Sequence, residues 1–146
     1  MVFGYDYYER GKSMKSINEA TYVDKAEKVI RRLMVTRDKR TGRPVKIVTT
    51  SKIRNLLAMT ADIYNQLLRE KGDKIPESCM KRIEYLRIRF IYEAGRDTDH
   101  SVKAFVEVSG ILDALKEIGN SREKYLLFSR YMEALVAFRK YLGGKD

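Results

Sequence analysis

The chain has 146 residues, 44% of them hydrophobic and 34% charged, which is enough for one core built without disulfides or a metal. Lys and Arg number 30 against 20 Asp and Glu, a net charge of +10, so anionic partners are expected, nucleic acid first. No stretch approaches the roughly 18 apolar residues of a membrane span, and the first residues show no signal-peptide pattern, so we expect a cytoplasmic protein without membrane contact.

The chain is predicted to begin with an irregular segment and one amphipathic helix. Residues 1–19 carry tyrosines and charges without a sustained period, so we expect a flexible lead before a single helical RNA-binding domain, 20–146. The first helix is predicted from near Thr21, whose hydroxyl would cap it, to just before Thr36. Its predicted apolar face consists of Val23, Ala26, Ile30, Leu33 and Met34.

The segment after this helix holds most of the net charge. Gly42 and Pro44 lie between short β-prone flanks, which predicts a hairpin-like or extended loop over 36–48. Between Arg31 and Arg54 we count nine basic residues and one acidic residue, a charge of +8. A basic loop next to a helix N-terminus favours phosphate binding, although a solvated loop without a fixed partner is the alternative.

Four further helices are predicted from apolar residues that recur with a period of 3.6. The third helix has a main apolar stripe that consists of Cys79, Ile83, Leu86, Phe90 and Ala94. Ile88 and Ile91 lie off this stripe, so this helix is expected to be buried on more than one side. The last helix is apolar over more than half its circumference and is expected at the centre. Together the five helices predict a compact all-α bundle. The predicted spans are 49–71, 76–94 with Gly95 as its stop, 100–118, and a last helix from an Asn120–Glu123 capping box to Tyr141.

Residues able to perform chemistry are few. Cys79 and His100 each occur once, which excludes an internal disulfide, and a His-based zinc site would need these two single residues to meet. We therefore expect a core cysteine and a histidine in a loop or at a helix start. Asp97 and Asp99 precede a predicted helix, where carboxylates act as caps. No phosphate-binding glycine loop and no nucleophile elbow occurs. The sequence therefore predicts a protein that is not an enzyme and has no cofactor or metal.

Arginines and tyrosines alternate along one side of the third helix. Arg82, Tyr85, Arg89 and Tyr92 lie within about 80° of one another on a helical wheel and point towards Arg96. Such a stripe can bind a nucleic-acid backbone by charge and offer rings to bases. The alternative is that both tyrosines belong to the core.

Four strings of the sequence are similar to those of a known family. They are TYVDKAEKVI (21–30), TTSKIRNLLAMTADIYN (49–65), IEYLRIRFIYEAGR (83–96) and SRYMEALVAFRKYLGGKD (129–146). By these strings the chain looks like the small helical subunit of type III-A CRISPR interference complexes, the Csm effector, over about residues 20–146. The most specific are the last string and YEAGR (92–96), which ends the third.

The resemblance implies a role in antiviral defence. It implies a non-enzymatic subunit, present in several copies within a guide-RNA ribonucleoprotein, that contacts the guide–target RNA duplex and chiefly the target strand. It also implies contacts with copies of itself, with the backbone subunit that cleaves RNA, and with the large polymerase-like subunit. The residues expected to bind RNA are Lys52, Arg54, Arg87, Arg89, Tyr92, Arg96 and Arg130. Four of them, Arg54, Arg89, Arg96 and Arg130, are expected to converge on one surface and to neutralise phosphates.

Two other classes of protein stay open from the sequence. A DNA-binding regulator would use Leu115 to Asn120 as the turn of a helix-turn-helix and the last helix as its reader, but that helix lacks a run of Asn, Gln and Arg on an exposed face. A helical scaffold that binds only protein is the second alternative. Comparing the binding of RNA and of duplex DNA at two salt concentrations separates them.

Overall fold

The computed structural model describes residues 17–143, and the predicted all-α bundle is confirmed there. Most of the lead predicted at 1–19 therefore lies outside the described residues. Apart from two isolated bridges, the described range contains no β-structure. Its six helices are α1 (Tyr22–Val35), α2 (Thr50–Arg69), α3 (Glu77–Arg96), α4 (Ser101–Ser109), α5 (Ile111–Ile118) and α6 (Arg122–Tyr141).

Helix α6 lies at the centre, as predicted. It packs against α1, α2 and α5, and the five consecutive residues Tyr125 to Ser129 are all buried. Its contact with α2 is antiparallel, because Arg122 Nε donates to the Leu67 carbonyl at 2.8 Å and Arg139 Nε donates to the Val48 carbonyl at 2.6 Å. Helix α2 is thereby fixed along its whole length.

One predicted helix is two helices in the structure. Gly110 adopts a φ of 72°, in the left-handed region that glycine tolerates, and it ends α4 and precedes α5. The prediction of one helix over 100–118 was wrong because the apolar spacing on both sides of Gly110 fits a continuous period. Gly95 does not end α3, contrary to the prediction. The helix continues through Gly95 to Arg96, and Gly95 has no positive φ.

Two helix starts use other caps than predicted. The Thr21 hydroxyl caps nothing and donates to Asn18 Oδ1 at 2.9 Å, and the same oxygen accepts the backbone N–H groups of Ala20 and Thr21. Ser121, not Asn120, caps α6 by accepting the N–H of Lys124 at 3.2 Å. Asn18 therefore organises the chain before α1, although it falls within the predicted lead.

Some apolar residues expected inside are exposed. In α1 the buried positions are Ala26, Val29, Ile30 and Leu33, whereas Val23 and Met34 are each 46% exposed. In α3 the predicted stripe Cys79, Ile83, Leu86, Phe90 and Ala94 is buried, and Cys79 is a free thiol in the core. Ile88 and Ile91 are 59% and 52% exposed, which corrects the expectation that α3 is buried on several sides.

The basic segment between α1 and α2 forms a tight hairpin-like turn, as predicted. Arg37 and Pro44 form an antiparallel bridge. The Asp38 N–H donates to the Arg43 carbonyl and the Gly42 N–H to the Asp38 carbonyl, both at 2.8 Å. Val48, at the end of this segment, is buried and connects the turn to the core.

Candidate functional site

Helices α2 and α3 lie side by side in opposite directions, and their seam is a groove. Near the start of α2, Lys52 Nζ lies 2.7 Å from Asp97 Oδ1 just beyond the end of α3. At the other end, Arg82 of α3 donates to Gln66 Oε1 of α2 at 2.8 Å. We call the surface between these two contacts the α2–α3 groove.

One end of the groove is a polar cleft of about 340 Å³. It lies between the first turns of α2 and the last turn of α3. Its lining includes two cations, Lys52 and Arg96, and two carboxylates, Glu93 and Asp97. The other residues lining the polar cleft are Asn55, Leu56, Thr98 and Val102.

The carboxylates after α3 hold the first turn of α4, as predicted for Asp97 and Asp99. Asp97 Oδ2 accepts the N–H of Val102 and the hydroxyl of Ser101, both at 2.9 Å, and Asp99 Oδ1 accepts the Ser101 N–H at 3.0 Å. Burial opposes the ionisation of Asp97, but the hydrogen bonds from Lys52 and from Val102 outweigh it, so the Asp97 pKa is lowered. The hydrogen bond that Lys52 donates to Asp97 raises the pKa of Lys52. Both groups are charged at neutral pH.

The basic segment before α2 also contacts a carboxylate beside the polar cleft, Asp99. Lys46 Nζ lies 3.5 Å and Lys52 Nζ 3.6 Å from Asp99 Oδ2. The side chain of Lys46 is 69% exposed. The polar cleft is therefore adjacent to the end of the basic segment.

Glu93 joins two arginines of α3. Its Oε1 lies 2.8 Å from Arg96 Nε, and its Oε2 lies 3.7 Å from an Nη of Arg89. The hydrogen bond that Arg96 donates to Glu93 raises the pKa of Arg96. The side chains of Arg89 and Arg96 remain 44% and 63% exposed, whereas that of Glu93 is 19% exposed. Two guanidiniums are thus held at the surface by one largely covered carboxylate.

The middle of the groove is a second cavity, of about 470 Å³, which we call the tyrosine cavity. Its floor is apolar, with Ile63 and Leu86 only 3% and 4% exposed. Tyr85 stands at its side and is 59% exposed. The other lining residues are Met59, Lys81, Arg82 and Arg89, so the described lining contains three cations and no carboxylate.

Both tyrosines of the α3 stripe are at the surface. Tyr92 is 60% exposed and Tyr85 59%. The alternative that they are core residues is therefore wrong. Because residues three, four and seven apart share a helix face, Tyr85 and Tyr92 border the arginines of the groove.

The seven residues predicted to bind RNA do not share one surface. Lys52, Arg89 and Arg96 line the α2–α3 groove, and Tyr92 lies at its rim. Arg54 lies roughly 160° around α2 from Lys52, because two residues advance the helix by about 200°. For the same reason Arg87 lies on the far side of α3 from Arg89, and its Nη is 3.4 Å from Glu84.

Arg130 lies on a third helix. Its Nη is 3.9 Å from Glu19 Oε1, in the segment before α1. The expectation that Arg54, Arg89, Arg96 and Arg130 converge is therefore met by Arg89 and Arg96, while Arg54 and Arg130 lie on other faces.

Sequence reasoning missed part of the groove. Asn55, Met59 and Gln66 form the α2 side, and Glu93 forms the carboxylate between the arginines. Asn55, Met59 and Gln66 are spaced four and seven residues apart on α2, which marks a shared helix face. That signal does not say which helix the face meets.

The fold opposes the DNA-reader alternative. A recognition helix must expose the face near its N-terminus to enter a major groove. In α6 the residues from Tyr125 to Ser129 are all buried. Helix α6 is therefore unavailable as a reader in this structure.

No metal-ligand cluster and no membrane-spanning helix occurs within residues 17–143. No cluster of three or more His, Cys, Asp or Glu residues in this range is arranged to hold a metal ion. None of the helices described is long and apolar enough to cross a membrane.

Comparison with known proteins identifies relatives along almost the whole chain. Residues 12–145 match the family model described as Csm2 Type III-A. A Streptococcus thermophilus protein named CRISPR system Cms protein Csm2 is 40% identical over 133 residues, which cover 91% of this chain and 100% of the relative. The Mycobacterium tuberculosis protein of the same name is 41% identical over 99 residues, 68% of this chain and 78% of the relative. The chain therefore belongs to the Csm2 family of type III-A CRISPR systems.

Proposed function

We propose that this chain is the non-catalytic small subunit of a type III-A CRISPR effector and that it holds RNA along the α2–α3 groove. The family match and the names of the relatives support the place in the complex. The RNA is the guide–target duplex, contacted chiefly on the backbone of the target strand. The complex acts in the cytoplasm in antiviral defence.

The observation that carries this proposal is the pair of arginines in the groove. Arg89 and Arg96 hold their guanidiniums at the surface on either side of Glu93, with Lys52 across the polar cleft. Arginine binds phosphate through a planar fork of donors. Charges placed along one groove suit a backbone that carries charge at regular intervals.

Binding by the backbone explains how one subunit serves many targets. In an RNA-guided complex the sequence is selected by base pairing with the guide. Contacts to phosphate and sugar position the RNA without reading it. Affinity in the α2–α3 groove is therefore independent of sequence.

Three residues that were predicted to bind RNA lie outside the groove, and we propose a separate role for them. Arg54, Arg87 and Arg130 contact RNA or a neighbouring subunit on other faces of the chain. Ile88 and Ile91 present exposed apolar surface on α3, and this surface packs against a neighbour. The neighbours proposed are a second copy of the chain, the backbone subunit and the large polymerase-like subunit.

A salt-dependent binding assay tests the groove. Arg96→Gln, alone and with Arg89→Gln, is measured by fluorescence anisotropy with two RNAs of unrelated sequence. Each variant is expected to weaken binding to both RNAs severalfold. Each lost phosphate contact should also flatten the slope of log affinity against log salt by up to about 0.7.

The chain offers a matched control. Arg31 Nε lies 2.8 Å from Glu27 Oε2 on α1, as Arg96 Nε lies 2.8 Å from Glu93 Oε1 on α3. Arg31→Gln therefore changes the net charge equally and breaks an equivalent ion pair. If it weakens RNA binding as much as Arg96→Gln, binding follows overall charge and the groove is not the site.

A further inference from the structure

We infer that the tyrosine cavity is a binding site for one unpaired nucleobase of the RNA, stacked beside Tyr85 over an apolar floor, with its phosphates on the basic rim. The inference rests on the proposed RNA-binding function and deepens it. It requires a base that is not paired within the guide–target duplex, whereas the proposed function needs only contacts to the backbone.

The size and lining of the cavity indicate a flat apolar ring. Its volume of about 470 Å³ falls within the roughly 300 to 1,000 Å³ of small-molecule sites. Ile63 and Leu86 form a buried apolar floor, and Met59 adds a flexible side chain that adapts to the shape of its partner. The floor residues Ile63, Leu86 and Met59 carry no side-chain hydrogen-bond donor, so the floor does not select among the four bases.

The aromatic ring is placed for stacking. Tyr85 is 59% exposed although it lines an apolar cavity, so much of its ring surface stays in contact with water. A base that stacks on the ring removes this surface from water. Stacking tolerates all four bases because each has a π-face.

The rim determines which apolar ligand is favoured. Lys81, Arg82 and Arg89 belong to the described lining, whereas the carboxylates of Glu77 and Glu93, which lie 3.9 Å from Lys81 and 3.7 Å from Arg89, do not. Gln66 directs the Arg82 guanidinium by accepting from its Nη at 2.8 Å. An apolar peptide segment has no anion to pair with these cations, whereas a nucleotide places its ring on the floor and its phosphates at the rim. Charge complementarity therefore favours a nucleotide.

The neighbouring polar cleft supports the same occupant. Arg89 lines the tyrosine cavity and, through Glu93, connects it to Arg96 at the polar cleft. An RNA strand lying along the groove would therefore pass the cavity opening. A base of that strand can therefore enter the cavity directly from the groove.

The test compares RNA with and without bases. The purified chain is titrated with an oligouridylate and with an abasic ribose-phosphate oligomer of equal length. Tyr85→Ala should lower the affinity for the oligouridylate at least about fivefold, the lower end for one stacked base, and leave the abasic affinity unchanged. The salt slope should stay the same, because no charge is lost. Tyr85→Phe should bind like the unaltered chain.

Three comparisons keep the inference open to refutation. Tyr141 is 81% exposed at the end of α6, and Tyr141→Ala should change neither affinity. The inference is overturned if Tyr85→Ala weakens both ligands equally, if it weakens neither, or if Tyr85→Phe is as weak as Tyr85→Ala. If Arg96→Gln also has no effect on either ligand, the proposed function fails with it. If Arg96→Gln weakens both ligands, only the nucleobase site is lost.

Discussion

Lys52 and Asp97 form an ion pair 2.7 Å long that joins the first turn of α2 to the turn after α3. The Asp97 side chain is only 10% exposed and also accepts the Val102 N–H and the Ser101 hydroxyl. One carboxylate therefore aligns three helices at the end of the groove. Lys52 was predicted as an RNA contact, and the structure gives it this second task.

Asp97→Ala should destabilise the fold. It removes the acceptor for two groups in the first turn of α4 as well as the partner of Lys52. We expect the free energy of unfolding to fall by about 1 to 2 kcal/mol, as for loss of a helix cap. Urea denaturation followed by circular dichroism measures it. Lys52→Ala keeps the contacts to α4, so an equal or larger loss in that variant would contradict the role given to Asp97.

The stabilisation by Asp97 should depend on pH in a stated direction. Its folded pKa lies below the ordinary value of 3.8, so the stabilisation is present above about pH 4 and is lost as the pH falls through the folded pKa. The pKa of Lys52 is raised above 10.5, so its share is present at neutral pH and is lost only at higher pH. The stability difference between the unaltered chain and Asp97→Asn should therefore be constant near neutrality and shrink below pH 4. A difference that grows on acidification would contradict this assignment.

Glu93→Gln should increase RNA affinity. Glu93 neutralises Arg89 and Arg96 in the free chain, so RNA phosphates compete with its carboxylate. Without that charge we expect affinity to rise severalfold and the salt slope to steepen by up to about 0.7. Glu84→Gln changes the net charge equally on the far side of α3, where Glu84 pairs with Arg87. Equal gains in both variants, or a loss in Glu93→Gln, would contradict the competition.

Ile88→Ser should leave the isolated chain folded and impair assembly. Ile88 is 59% exposed, so its replacement removes little buried surface and should change the free energy of unfolding by less than about 0.5 kcal/mol. Leu86, two residues earlier, is 4% exposed, and Leu86→Ala should cost about 2 to 5 kcal/mol. Incorporation into the effector complex, measured by co-purification, should fall for Ile88→Ser. Normal incorporation would show that this surface has no neighbour.

Most of the helices could be predicted because each buries one face. The stripe of α3 from Cys79 to Ala94 recurs every three or four residues, and all five members are buried. The break at Gly110 could not be predicted in the same way, because apolar positions before and after it fit one period. Its φ of 72° decides the boundary, and a backbone angle leaves no trace in the spacing of side chains.

Only the α3 side of the groove could be predicted from the sequence. The arginines and tyrosines of α3 lie on one helix, so their common face follows from the helical repeat. Their partners on α2, such as Met59 and Gln66, belong to the site because α6 fixes α2 in an antiparallel position beside α3. That packing brings together residues that are far apart in the sequence, so residue spacing does not reveal it. The same limit explains why Arg54 and Arg130, both in family-like strings, fall on separate faces.

The central claim is that RNA lies along the α2–α3 groove, and site-specific photocrosslinking in an assembled complex tests it most directly. A photoreactive phenylalanine derivative replaces Tyr92 at the rim of the groove or, as a control, Tyr141 at the end of α6; these side chains are 60% and 81% exposed. With labelled guide and target RNA, the derivative at position 92 should crosslink to the target strand more strongly than the one at 141. A complex that assembles normally but yields no RNA crosslink from position 92 would contradict the account.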